Sequence, residues 1–133
     1  MKKTYTLKSG RAVQVTASNK RVSNTWGSRH YAYTATISVD GEEYRTTFHD
    51  SVANFGRGIS YPEGMTDDIL GCVVLDASSF EEYPVLDDFL HAYGYDAWDR
   101  AGVKAWEGCR EASEHLRRML SQEDMEELFQ YQL

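Results

Sequence analysis

The sequence predicts an α+β fold: a four-stranded antiparallel β-meander with one face packed by three to four C-terminal helices. Apolar and polar residues alternate in several runs within the first 50 positions, whereas helical spacing dominates after Thr66. Between two alternating runs lies Asp40–Gly41, and an Asp-Gly pair in that setting is the strongest short-range signal for a β-hairpin. We expect a single domain over residues 1–133, with a sheet part at 1–54 and a helical part at 65–133.

The first hairpin is predicted to join strands at 3–8 and 11–17 through a tight turn at Ser9–Gly10, with Val13 and Val15 facing inward. The central hairpin spans 28–50. One face of its first strand is apolar and the other is rich in threonine, so we expect the sheet to be covered on one side. The apolar positions of that strand are Tyr31, Tyr33, Ala35, Ile37 and Val39.

Between these hairpins, Ser18–Gly27 is rich in turn-forming and basic residues. The pattern fits either a long mobile loop or an extension of strands two and three. Trp26 also has two possible interpretations. It suits stacking on a base or anchoring in a partner pocket, or it folds back over the sheet as large aromatic residues often do.

Four helical segments follow. The first is predicted to begin at Thr66, which suits an N-cap, and to end near Asp76. A second lies within 79–95, with Pro84 in its first turn and Gly94 at its C-terminal end.

The longest helix is predicted from Asp96 to Leu120, with a stripe of small residues starting at Ala101. Ser121 then caps a short last helix, where Asp124 stands at the position that Glu occupies in a capping box. The predicted core draws on both halves of the chain: Leu7, Val13, Val15, Tyr33, Ile37, Tyr44, Phe48, Ile69, Leu70, Val73, Phe89, Leu90 and Leu116.

The net charge of −7 conceals a strong asymmetry. Residues 1–39 include seven basic and no acidic residues, and the remainder carries all 21 acidic residues and a net charge of −14. From Glu63 to Asp99 the chain has ten acidic residues and no Lys or Arg. Such asymmetry indicates either charged partners or pairing of the two halves, within one molecule or between the subunits of a homodimer.

Cysteine usage and hydropathy favour a cytosolic protein. Cys72 and Cys109 lie among apolar residues of helical segments, as buried reduced thiols do, although a disulfide between helices stays open. The N-terminal stretch has a basic start but no apolar core of a signal peptide. No apolar run approaches the roughly 18 residues that a membrane span requires.

No catalytic, metal or cofactor site is predicted. His49, Asp50 and Ser51 contain the residue types of a Ser-His-Asp catalytic triad. Consecutive strand residues face opposite sides of a sheet, however, so these side chains cannot hydrogen-bond to one another as a triad requires. His30 and His49 could share a face, yet two ligands are too few for a structural zinc site.

Two charged residue sets are candidates for partner binding. Carboxylates spaced along a helical surface present a field like that of a phosphate track, so one candidate is the acidic set Asp67, Asp68, Asp76, Glu81, Glu82, Asp87 and Asp88. The alternative is nucleic-acid binding by the basic N-terminal hairpins, through Lys20, Arg21, Trp26, Arg29 and Arg45. A pI near 5.0 argues against a strong nucleic-acid binder.

Four stretches carry a family resemblance: YTLKSG at the start, TTFHDSVANFG at 46–56, TDDILGCVVLDASSFE at 66–81, and a helix with Trp106 and Cys109 leading into LSQEDMEEL at 120–128. In these stretches the chain resembles a group of small, mostly uncharacterised proteins of Firmicute phages and mobile elements. The resemblance implies an inhibitor of host defence, such as an anti-CRISPR protein, whose partner is a host protein or ribonucleoprotein complex. No site residue is implied by it.

Overall fold

The computed structural model describes residues 2–25, 28–49 and 65–131, and within these the side chains of 2–16, 34–46 and 70–130. The chain divides into two compact units, Met1–Cys72 and Val73–Leu133. A four-stranded antiparallel sheet is followed in the sequence by four helices, which confirms the α+β class.

The sheet consists of β1 (Lys2–Thr6), β2 (Ala12–Thr25), β3 (Ser28–Val39) and β4 (Glu42–His49), in the order β1-β2-β3-β4. Every neighbouring pair is antiparallel. The predicted meander is therefore confirmed.

Both tight turns use the left-handed backbone conformation. Asp40 has φ +51° and Gly41 has φ +85°, the pair of positive values that a type I′ hairpin turn requires. In the first hairpin, the Gly10 N–H donates to the Leu7 carbonyl at 2.9 Å while Gly10 itself has φ +91°. The turn residues thus fix the strand register that alternation alone leaves open.

One face of the sheet is buried, as the alternation predicts. Val13, Val15 and Ile37 have no exposed surface, and Val39 is 1% exposed. The threonines and serines between them remain partly or fully exposed. Apolar residues at every second position therefore place one continuous apolar layer on one side.

The stretch 18–25 extends β2 and is not a loop, so the second of the two interpretations is correct. It pairs with β3 as far as Thr25 opposite Ser28, with a bulge between Arg21 and Ser23. Trp26 lies outside the described residues, together with Gly27.

The helices are α1 (Met65–Glu82), α2 (Leu86–Ala92), α3 (Arg100–Met119) and α4 (Gln122–Tyr131). None of these described helices is long and apolar enough to cross a membrane.

Four predicted helix boundaries are wrong. The first helix already includes Met65, so Thr66 is a helical residue and not the N-cap. The first helix continues past Asp76 to Glu82, because the first strong helix breaker is Pro84, which disfavours helical geometry at Tyr83. Pro84 precedes α2 and is not part of it. The third helix begins at Arg100, four residues later than predicted, because Trp98 has φ +61° and cannot belong to a helix.

The predicted end of α2 and the start of α4 are confirmed. Gly94 has φ +76°, and the Tyr95 N–H donates to the Leu90 carbonyl at 2.9 Å, as in a Schellman motif. At α4, the Asp124 N–H donates to Ser121 Oγ at 3.1 Å, and the Ser121 N–H donates to Asp124 Oδ2 at 3.3 Å. Asp therefore completes a capping box in which Glu or Gln is usual.

The predicted core is confirmed wherever its side chains are described: Leu7, Val13, Val15, Ile37, Tyr44, Leu70, Val73, Phe89, Leu90 and Leu116 are all buried. Tyr33, Phe48 and Ile69 lie outside the described side chains. The stripe on α3 is correct from Cys109 onward, but Ala101 is exposed, and Gly102 is buried beside it.

Candidate partner-binding surface

The seven predicted acidic residues lie on the first two helices. Asp67 and Asp68 are in the first turns of α1, where carboxylates favour the helix dipole, and their side chains are outside the described set. Asp76 is half-buried within α1 and has an interaction partner in the chain. The remaining four flank the break between α1 and α2.

Glu81 is held inside the helical unit. Its carboxylate forms an ion pair with Arg117 of α3 and accepts a hydrogen bond from Ser113 Oγ at 3.3 Å. The Glu81 and Arg117 side chains are 29% and 32% exposed. The Glu81 charge is thus largely compensated within the fold.

Arg117 links three helices through this contact. Its guanidinium also donates to Gln122 Oε1 on α4 and lies 5.8 Å from the centre of the Phe129 ring. A planar guanidinium can make several such contacts at once, which a lysine ammonium cannot. We call Glu81, Ser113, Arg117 and Gln122 the arginine junction.

Glu82, the next residue, is exposed and faces a tyrosine. The negative charge of the Glu82 carboxylate, together with burial and a hydrogen bond to the same carboxylate, raises the pKa of Tyr83 above its usual range. The Tyr83 ring meets Tyr93 edge-on, with 5.9 Å between the ring centres. This contact brings the end of α1 next to the end of α2.

Asp87 and Asp88 occupy the first turn of α2 and are exposed. Asp96 is exposed in the connection to α3. Within the described part of the chain none of these three carboxylates forms an ion pair. Their charges are therefore available to a partner.

Large apolar side chains are exposed among these carboxylates. Val85 is 56% exposed, Tyr93 47% and Trp98 71%. We call residues 82–98, which hold these three and the exposed carboxylates, the acidic–aromatic segment. Exposed aromatic residues are typical of protein-binding surfaces, in which they serve as anchors.

Trp98 is the residue that sequence reasoning missed. The predicted helix from Asp96 to Leu120 included it, and Trp26 was the aromatic residue considered for an exposed role. The Asp99 N–H donates to the Asp96 carbonyl at 3.1 Å, which closes a turn with Trp98 at its third position. The sequence Asp-Ala-Trp-Asp contains one signal of this turn, since Asp99 is a good N-cap for α3.

The backbone on both sides of Trp98 is fixed. Asp99 caps α3 by accepting a hydrogen bond from the Ala101 N–H at 2.9 Å. A Cβ on Gly102 would lie 2.5 Å from Leu90 Cδ2 and 2.7 Å from Tyr95 Cγ, so α3 approaches the end of α2 at a distance only glycine permits. The connection that carries Trp98 is thus held at both ends.

The alternative basic set is distributed over β2, β3 and β4. Lys20 pairs in register with Ala32, Arg21 with Tyr31, and Arg29 with Asn24. Arg45 is exposed on β4. The structure describes no side-chain position for Lys20, Arg21 or Arg29, and Trp26 lies outside the described residues, as noted above.

Other chemistry has little support in the described residues. No group of three or more His, Cys, Asp or Glu side chains there is arranged to hold a metal ion. Asp50 and Ser51 of the apparent triad lie outside the described residues. Cys72 and Cys109 are both buried and form no disulfide.

Comparison of the chain with protein-family models, curated proteins and solved structures finds no match.

Proposed function

We propose that this protein is a non-catalytic inhibitor that binds a basic, nucleic-acid-binding surface of a host defence complex through its acidic helical face. The acidic–aromatic segment supplies the contact. The observation that carries the proposal is that Asp87, Asp88 and Asp96 are exposed without ion pairs, while Val85, Tyr93 and Trp98 expose apolar surface between them.

Charge complementarity selects the class of partner. The segment lies within residues 63–99, which hold ten acidic residues and no Lys or Arg. The exposed carboxylates of Asp87, Asp88 and Asp96 attract a surface rich in Lys and Arg and repel nucleic acid, so a partner that itself binds nucleic acid is favoured. Occupation of that surface would prevent the partner from binding DNA or RNA.

The setting comes from the resemblance to small proteins of Firmicute phages and mobile elements. Proteins of that origin act inside the bacterial host, often against CRISPR or other defence systems. A host protein or ribonucleoprotein complex in the cytoplasm is therefore the proposed target. The structure itself contributes the surface and its charge, and the resemblance contributes the context.

The test is a pull-down from a bacterial host lysate with the full chain as bait, with and without nuclease, at low and high salt. We expect a protein to be retained after nuclease treatment and released as salt rises, because screening weakens contacts between exposed charges. Retention that disappears with nuclease would contradict the proposal and would direct attention to the basic strands.

A second candidate function, nucleic-acid binding, is favoured by the length of β2 and β3. Their pairing continues to Thr25 and Ser28, whereas β1 pairs with β2 only at 12–16 and β4 with β3 only at 32–39. A two-stranded ribbon of this kind fits the major groove of DNA, and it carries Lys20, Arg21 and Arg29.

This second function predicts that Arg21→Glu greatly weakens binding to a fluorescently labelled DNA duplex. Lys2→Glu, an exposed change on β1, is the matched control and should leave binding nearly unchanged. Equal binding by wild type and Arg21→Glu would exclude a role for the ribbon.

A further inference from the structure

Trp98 combines two features that rarely occur together. Its side chain is 71% exposed, and its backbone has φ +61°, in the left-handed region that favours glycine and that bulky residues seldom adopt. An exposed ring gains little from packing, so burial within this unit does not compensate for the backbone conformation. Strained conformations of this kind concentrate at ligand-binding positions.

The position of Trp98 is also preorganised. The Schellman motif at Gly94 ends α2, the Asp99 cap begins α3, and the close approach at Gly102 fixes Tyr95 between them. A rigid aromatic side chain loses little conformational entropy on binding, which makes it an efficient anchor.

We infer that Trp98 is the anchor of a docking site for a protein segment whose apolar stripe is flanked by Arg and Lys. The inference rests on the proposed function and identifies the partner chemistry of the same surface. Trp98, Tyr93 and Val85 expose apolar area for the stripe, and the exposed carboxylates of Asp87, Asp88 and Asp96 lie in the same stretch of chain and complement the cations. An anionic membrane, the other surface that an exposed Trp suits, is repelled by these carboxylates.

The probe is a synthetic 18-residue helical peptide with a leucine stripe flanked by arginines, titrated into the full 15N-labelled chain. A second peptide has glutamate in place of every arginine. We expect the Trp98 indole N–H signal to shift with the arginine peptide only. Trp98→Gly should weaken binding at least tenfold, and Leu75→Ala, which removes an exposed apolar side chain on α1, should leave it unchanged.

Thermal unfolding separates an anchor from a structural residue. Glycine adopts φ +61° without strain, so Trp98→Gly should melt at or above the temperature of the wild type. A marked fall in melting temperature, confirmed with Trp98→Asn, would show that the ring supports the fold and would overturn the inference.

The remaining outcomes separate the inference from the proposed function. If the arginine peptide shifts the NMR signals of Asp87 and Asp88 but binds Trp98→Gly as tightly as the wild type, Trp98 is not the anchor. The acidic docking surface of the proposed function would then remain. No shift within the acidic–aromatic segment would overturn both. Preferential binding to phosphatidylserine vesicles would overturn both as well, since the partner would then be a lipid surface.

Discussion

The arginine junction and the acidic–aromatic segment adjoin in the sequence at Glu81 and Glu82, but they use their carboxylates in opposite ways. At the junction, Glu81 pairs with Arg117 and accepts from Ser113, so its charge is compensated. In the segment, Asp87, Asp88 and Asp96 are exposed and form no ion pair with any described residue. The same residue type therefore stabilises the fold in one region and remains available for binding in the other.

This difference shows that a run of acidic residues is not equivalent to an acidic surface. Asp99 caps a helix, and Asp124 is 2% exposed within a capping box. Both count toward the net charge, but their oxygens accept hydrogen bonds from the backbone. The negative charge available to a partner therefore comes from the carboxylates that form no hydrogen bond or ion pair within the chain.

The largest expected effect is on partner binding. The double variant Asp87→Lys/Asp88→Lys places two cations against a basic partner, and like charges across an interface cost several kcal/mol. We therefore expect the affinity for the partner to fall about 100-fold, so that the pull-down retains much less of it. Circular dichroism should show the same helix content as the wild type.

The matched control for that variant is Glu81→Gln. It removes a charge that the fold already compensates, so partner retention should stay near the wild-type level. If Glu81→Gln abolishes partner retention and the double variant does not, the proposed roles are exchanged. The arginine junction would then be the binding surface.

The next effect concerns the support beneath Trp98. Gly102→Ala forces a Cβ against Leu90 and Tyr95, and overpacking of this kind typically costs about 1–3 kcal/mol. Gly108→Ala, in the same helix with open space at its Cβ, should instead stabilise by up to about 1 kcal/mol. Urea unfolding of the two variants measures the difference, and equal stabilities would contradict the close approach.

Much of the sheet and several helix ends could be predicted because their causes are local. The Asp40–Gly41 turn, the alternation in β3 and the Ser121–Asp124 cap each depend on residues a few positions apart. The extension of β2 depends instead on pairing with β3, which alternation in a basic, serine-rich stretch does not specify.

The candidate site was predictable only in part. Asp87 and Asp88 follow from their position at the start of a helix, and their exposure agrees with it. The pairing of Glu81 with Arg117 joins residues 36 positions apart, so local patterns do not indicate it. Trp98 was missed because the predicted helix began at Asp96 and included it, whereas a positive φ excludes it from α3.

A smaller effect is expected at the arginine junction. A part-exposed ion pair is worth about 1 kcal/mol or less, and Arg117 adds contacts to Gln122 and the Phe129 ring. Arg117→Ala should therefore lower the free energy of unfolding by about 1–2 kcal/mol. A double-mutant cycle with Glu81→Ala isolates the pair.

The exposed Arg110–Glu114 pair, at 3.7 Å, provides the reference for that cycle. As an i,i+4 pair on a helix surface it should contribute about 0.3–0.5 kcal/mol. A coupling energy between Glu81 and Arg117 no larger than this reference would mean that the junction is ordinary surface charge, and the contrast with the acidic–aromatic segment would weaken.

The smallest effect lies where the two regions meet, at Glu82 and Tyr83. Because the Glu82 carboxylate raises the pKa of Tyr83, Glu82→Gln should lower that pKa toward about 10, the ordinary value for tyrosine. Since the folded-state pKa is the higher one, the contribution of Tyr83 to stability is complete below about pH 10 and is lost as pH rises through the raised value. NMR titration of the 13C-labelled tyrosine ring measures the shift. An unchanged pKa in Glu82→Gln would show that the Glu82 carboxylate does not act on the Tyr83 hydroxyl.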